Sequence, residues 1–264
     1  MKKKIEIIVA NPSGNVTIFV KTPCPRSEYA AVATQLLAMK ELKGEQVAFI
    51  LPNPGIAGVD GEMEMCGLEF CGNASRSFGL ILAKEAGDQG ISKRNVLVSG
   101  CDYSLEVELD MDMNGAKIRM PNPVSCEKKQ ECTIVDFGGI LHVIVEDLPP
   151  EEEIFKLLRD RVYEQLNPPA MGVMFWDTKE KKLTPVVYVK DVDTVYWEGS
   201  CGSGTTAMAA AFAMGREDGT YSWSFPQPEG TIDASAVVKD GHAVEIYIDS
   251  PVEIQPPQVV EIEI

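Results

Sequence analysis

The sequence predicts an α+β fold of two pseudo-symmetric domains, each a β-sheet with one buried central helix. Three observations carry that expectation. Strand-like stretches outnumber helix-like ones along the chain. Two segments echo one another, Phe70-Cys71-Gly72-Asn73-Ala74-Ser75 and Ser200-Cys201-Gly202-Ser203-Gly204-Thr205. Each echo leads into a run of small, apolar residues, 74–84 and 205–214, of the kind that form buried helices. With 264 residues and 45% hydrophobic content, the chain is long and apolar enough for two cores of ordinary size.

Residues 4–9, 16–20, 47–51, 96–99, 104–109, 133–135, 141–145, 184–189 and 243–248 alternate in polarity or are rich in Val, Ile and Tyr, as half-buried strands are. A helix over 27–40 begins with Ser27 as N-cap and carries apolar residues at helical spacing. A second, over 151–166, follows a Pro-Pro break and opens with three glutamates, which suits a helix N-terminus. Met120-Pro121-Asn122-Pro123 interrupts the pattern twice. The expected domains are therefore 1–120 and 121–253, with the strand-like tail 254–264 returning to the first.

A net charge of −16 argues against a nucleic-acid or anionic-membrane partner. The basic start, Lys2-Lys3-Lys4, runs into an alternating strand instead of an apolar signal core. No apolar run reaches the roughly 20 residues that span a bilayer. Seven cysteines form an odd set without a disulfide framework, which fits a reducing, cytoplasmic setting. A zinc site is a poor competitor, because no Cys-x-x-Cys pair exists and His142 and His242 are the only imidazoles. The sequence calls for no metal, and no Rossmann or Walker motif calls for a cofactor.

Each Cys-Gly pair stands just ahead of a helix, beside free backbone N–H groups and the positive end of the helix dipole. That setting lowers a thiol's pKa from about 8.5 towards neutrality and forms a cradle for a carboxylate. A cysteine in an apolar stretch is ordinarily inert packing, and Cys24, Cys66, Cys101, Cys126 and Cys132 keep that reading. Cys71 and Cys201 stand apart because the arrangement occurs twice, once in each half. Two thiols facing one substrate from opposite sides suit removal of a proton from one face of a carbon and its return to the other.

At these residues the chain resembles, nearly end to end, the diaminopimelate epimerase-fold family of cofactor-independent amino-acid racemases. Gly14-Asn15 falls at that family's early Gly-Asn, and Glu45-Gln46-Val47 at its acidic residue followed by glutamine. Cys71-Gly72-Asn73 and Cys201-Gly202-Ser203-Gly204 match its two catalytic motifs, and Gln227-Pro228-Glu229-Gly230 resembles its late Pro-Gly-Gly turn. The departures are informative. Met65-Cys66-Gly67-Leu68-Glu69 stands where diaminopimelate epimerases have Asn-Ala-Asp-Gly, and Gly138-Gly139-Ile140-Leu141-His142 lacks the asparagine of their Gly-Asn-Pro-His. Trp197-Glu198-Gly199-Ser200 lacks the arginine that grips the substrate's far carboxylate. A second buried carboxylate needs a charged, preferably bidentate partner, so diaminopimelate is disfavoured. Asn11-Pro12-Ser13-Gly14-Asn15, Ser27-Glu28-Tyr29-Ala30, Glu45-Gln46-Val47, Glu69-Phe70-Cys71-Gly72-Asn73-Ala74 and Trp197-Glu198-x-Ser200-Cys201-Gly202-Ser203-Gly204-Thr205 look closest to the histidine racemase branch associated with opine-type metallophores.

The resemblance implies domains that are each a sheet or barrel wrapped around a central helix. It implies two-base racemisation of a small amino acid, histidine first, in the cleft between the domains. Cys71 and Cys201 would be the acid–base pair, with Glu45 and Glu198 holding the substrate ammonium or tuning the thiols. Asn15, Gln46, Gly72, Asn73, Gly202 and Ser203 would bind substrate, and the helix N-termini would carry the charge that develops on its carboxylate. No cofactor and no metal are expected, and a homodimer is left open. His142 reads as structural, and Trp197 either walls the side-chain pocket or packs. A diaminopimelate epimerase, a proline-type racemase or a broad-specificity racemase would keep the fold and change the substrate. A redox-regulated protein that binds an amino acid without turning it over would keep the cysteines and drop the chemistry.

Overall fold

A computed structural model describes residues 2–263. The chain forms two compact units, one made of the residues up to Arg119 and again from Asp249, the other of Met120–Ile248. In the first, β1 (Lys2–Asn11) pairs antiparallel with β2 (Thr17–Val20), setting Ile7 opposite Val20. A crossover through α1 (Tyr29–Leu37) brings β3 (Gln46–Leu51) parallel to β2. β4 (Gly61–Met65) returns antiparallel, and a second crossover through α2 (Gly72–Ala86) sets β5 (Ile91–Val98) parallel to it. β6 (Leu105–Asp110) and β7 (Gly115–Met120) extend the sheet as antiparallel hairpins.

α1 buries Tyr29, Val32, Ala33 and Leu36, an i, i+3, i+4, i+7 stripe, against Ile5, Ile18, Val47 and Phe49. Each such aliphatic side chain contributes roughly 1.5–3 kcal/mol when fully removed from water. The helix is shorter than the periodicity predicts. Arg26–Glu28 and Lys40–Leu42 are 3-10 turns, so Ser27 lies inside a turn and caps nothing. Glu28 takes the N-cap position with its carboxylate committed to Lys3 Nζ at 2.7 Å. β5 also differs from its expected span of 96–99. Its polar start, Ser92 to Asn95, is strand because it pairs residue by residue with β6, Lys93 opposite Glu108.

α2 is the central helix of this unit, with every residue from Gly72 to Ile81 buried. Its backbone runs so close to the sheet that a side chain at Gly79 would meet Val107 on β6. Gly87 ends the helix in the left-handed region (φ 77°), its N–H returning to Ala83 and Lys84 carbonyls.

The second unit opens with the antiparallel strands β8 (Ser125–Lys128), β9 (Thr133–Asp136) and β10 (Ile140–Glu146). α3 (Glu152–Gln165) crosses over to β11 (Ala170–Asp177), parallel to β10, and β12 (Lys182–Val189) and β13 (Thr194–Trp197) follow antiparallel. Phe155 and Val162 of α3 pack on Val143, Val145, Val173 and Phe175. The second central helix, α4 (Gly202–Ala213), precedes the hairpin of β14 (Gly219–Pro226) and β15 (Thr231–Lys239) and is buried from Thr205 to Ala210. β16 (His242–Pro251) carries the chain back to the first unit. There β17 (Glu253–Ile254) and β18 (Gln258–Glu263) pair antiparallel with β1, Ile5 opposite Val260. This is the mostly-sheet α+β architecture that the sequence predicts, with a buried helix in each unit. Among the described residues, no helix is long and apolar enough to cross a membrane, and no group of three or more His, Cys, Asp or Glu could hold a metal ion.

Candidate active site

Both echoed cysteines are helix N-caps. Cys71 has extended backbone (φ −131°, ψ 110°), so its side chain turns back over the first turn of α2. Its Sγ accepts from the Ala74 N–H at 3.4 Å. Cys201 has nearly the same dihedrals (φ −128°, ψ 113°) ahead of α4, and its Sγ accepts from the Gly204 N–H at 3.2 Å. The sequence reading starts these helices at Ala74 and Thr205. They start two to three residues earlier, at Gly72 and Gly202, because the sulfur itself caps them.

Around Cys71 the first unit gathers a chain of amides. Gln46, at the start of β3, puts Nε2 3.3 Å from Cys71 Sγ, 2.9 Å from Asn15 Oδ1 and 2.8 Å from Thr17 Oγ1. Asn73 Nδ2 donates to the same Asn15 oxygen at 3.2 Å. Asn15 Nδ2 donates to Glu45 Oε2 at 3.1 Å. Asn15 and Asn73 are buried, Cys71 and Gln46 are half-buried, and Glu45 is exposed. Asn15, Glu45, Gln46, Cys71, Gly72 and Asn73 thus form one cluster on β1–β2, β3 and α2.

The second unit builds a different environment. Cys201 is 5% exposed. Burial pushes its thiol well above the usual range, and the charge and hydrogen bond of Glu198 push it further. Ser203 Oγ, 3.4 Å away, and the Gly204 N–H pull the other way without prevailing. Cys201 is therefore a thiol at neutral pH. Its own backbone N–H is held by Gln227 Oε1 at 2.8 Å, while Gln227 Nε2 donates to Thr205 Oγ1 at 3.0 Å. Ser203 Oγ also lies 3.0 Å from Nε2 of His142, which is fully buried on β10. Burial lowers the His142 ring to about 3, so it is neutral at physiological pH. Its Nδ1 meets no hydrogen-bond partner among the described residues. Glu198, Cys201, Gly202 and Ser203 form this second cluster, and Trp197 beside it is 46% exposed.

Sequence reasoning left three neighbours unassigned. Gln227 was visible only as part of a turn, yet it ties that turn to the backbone of Cys201. Arg76, one turn into α2, is fully enclosed and bonds Asn73 Oδ1 through Nε at 3.2 Å. Gly172, opposite His142 in the β10–β11 pair, leaves the space that the imidazole fills, since a Cβ there would strike Nδ1. Gly172→Ala is expected to destabilise the second unit by about 1–3 kcal/mol through overpacking. A lowered urea midpoint checks it, and an unchanged midpoint would show that the ring yields without cost.

The family model described as histidine racemase CntK N-terminal domain matches residues 4–257. A histidine racemase of Fusobacterium nucleatum is 32% identical, over 96% of this chain and 96% of that protein. A histidine racemase of Staphylococcus aureus is 29% identical, over 88% of each. Among solved structures, a hydroxyproline epimerase from Agrobacterium vitis has a TM-score of 0.67 at 11% identity, covering 98% of this chain and 92% of that one. A Bacillus anthracis phenazine biosynthesis protein of the PhzF family also has a TM-score of 0.67, at 12% identity and with 99% and 100% covered. At such identities these two structures share the fold with this chain and nothing finer. The sequence match is another matter, because it runs from within β1 to the residue before β18 and includes both cysteine caps. On that match the chain belongs to the histidine racemase family, a family of isomerases.

Proposed function

We propose that this protein interconverts L- and D-histidine by two-base proton transfer at the α-carbon, without pyridoxal. The observation that carries the reading is the pair of cysteine N-caps in unlike surroundings. Cys71 sits among N–H donors, which favour a thiolate. Cys201 sits buried beside a carboxylate, which favours the thiol. Racemisation needs that division: a base takes the α-proton from one face while an acid delivers a proton to the other. For the opposite enantiomer the two exchange roles.

With no electron sink, charge flows onto the substrate carboxylate as the α-proton leaves. The N–H groups at the starts of α2 and α4 are preorganised donors for it. Glu198 and Glu45 supply negative charge for the substrate ammonium. An ammonium beside Glu198 offsets the repulsion that raises Cys201, so the thiol becomes an adequate acid once substrate is bound. The free thiols this chemistry needs suit a reducing cytoplasm. The resemblance to racemases of opine-type metallophore synthesis supports D-histidine as the product drawn off by a later step.

The test is NMR of the reduced protein in D₂O with single L-amino acids and no added pyridoxal. The expected result is loss of the α-proton signal and appearance of the D-enantiomer for histidine. Turnover of several amino acids would point to a broad racemase. Turnover of none, with fold and thiols intact, would sink the enzyme reading in favour of a binding protein.

A further inference from the structure

Arg76 is an unusual residue for the inside of a small-residue helix. It is fully buried, and its neutral acceptors are Asn73 Oδ1 and the carbonyls of Ser250 (2.8 Å), Pro12 (3.3 Å) and Ala116 (3.5 Å). Carbonyl oxygens satisfy donors but do not balance a charge. Asp249 on β16, and the sulfur of Cys71 whenever it is ionised, act on the guanidinium to hold it charged against burial. Burial lowers Arg76 only to about 10, so it stays a cation at neutral pH.

Arginine is donor-only and an ionised carboxylate is acceptor-only, and these two ends fix every amide between them. Arg76 Nε faces Asn73 Oδ1, so the Asn73 amide nitrogen must face Asn15 Oδ1. Asn15 then turns its own nitrogen to the Glu45 carboxylate. An acceptor at Asn15 Oδ1 leaves Gln46 one usable orientation, nitrogen inward, where its two N–H groups are shared among Asn15 Oδ1, Thr17 Oγ1 and Cys71 Sγ. Turning Gln46 over would set two oxygens against each other and present an oxygen to the sulfur.

We propose that Arg76 is the positioning cation of the Cys71 cluster: it orients the amide chain so that Gln46 donates to the sulfur, and its charge keeps Cys71 the thiolate of the resting pair. The inference rests on reading Cys71 as an acid–base group. Charged groups along the chain include Arg76 on α2, Asp249 on β16 and Glu45 just ahead of β3. Arg76 touches no reacting atom in this scheme, so it positions and does not catalyse.

The experiment is the pH dependence of iodoacetamide alkylation at Cys71 and at Cys201, read by peptide mass spectrometry on reduced, substrate-free protein. In the wild type, Cys71 is expected to react with the lower midpoint. Arg76→Gln should raise the Cys71 midpoint by about one to three pH units, the usual effect of losing a nearby opposite charge, and leave the Cys201 midpoint in place. Arg76→Lys should recover part of the shift, because it keeps the charge and loses the fork. An unmoved Cys71 midpoint in folded Arg76→Gln overturns the proposal. If that variant does not fold, the wild-type comparison decides: Cys201 reacting at the lower pH overturns it. Because no substrate is present, failure of histidine turnover is a separate result that leaves this assignment standing.

Discussion

Cys71→Ser and Cys201→Ser are each expected to lower histidine racemisation by about 10²–10⁴-fold, the usual contribution of one positioned acid–base group. Serine keeps the size and the N-cap bond, so the helices should survive while the acid–base group does not. The two variants should then differ in a second readout. In Cys201→Ser, Cys71 still takes the α-proton of one enantiomer, and solvent deuterium returns from the same side. Slow exchange without inversion should persist for that enantiomer and vanish for its mirror image. Cys71→Ser should show the reverse preference. Chiral chromatography with mass detection in D₂O reads both. Symmetric residual exchange in either variant would mean that one cysteine serves both faces, and the two-base scheme would fail.

The legible parts of the chain were those in which local chemistry and tertiary role agree. The Cys-Gly-small-residue echo announces a helix start and a cradle for an anion, and both sulfurs do cap helices. The helix at Glu152–Gln165 carries an acidic first turn and a buried face, and it runs within one residue of its expected ends. Where tertiary pairing overrides propensity, the sequence misleads. Ser92 to Asn95 look like loop and become strand only because β6 lies opposite. β11 is apolar without alternation, a pattern shared by buried strands and buried helices. Arg76 was invisible for a related reason. A lone arginine on a helix reads as surface, and nothing local says that the β1–β2 turn, β7 and β16 will enclose it. Likewise the bond from Ser203 to His142 spans 61 residues of chain and leaves no trace in either neighbourhood.

Glu198→Gln carries the other large expectation, and its sign follows from what the carboxylate does to Cys201. Charge repulsion and the hydrogen bond from the thiol both raise the thiol, on top of burial. Glutamine keeps the shape and removes the charge, so the Cys201 alkylation midpoint should fall by about one to two pH units while remaining above that of an exposed thiol. In the proposed two-base scheme, the free enzyme that starts the reaction from one side is the form with Cys71 ionised and Cys201 protonated. Its basic limit is set by loss of the Cys201 proton. Lowering that pKa moves the basic limb of kcat/KM to lower pH, the opposite of what a general loss of stability would do to both limbs. The missing charge also weakens the hold on the substrate ammonium, which should reduce kcat/KM by about 10–100-fold through KM, in line with one charge-assisted hydrogen bond. A pH–rate profile of the variant with histidine measures both effects. If the basic limb stays in place while KM rises, Glu198 binds substrate only, and the protonation of Cys201 is the work of burial alone.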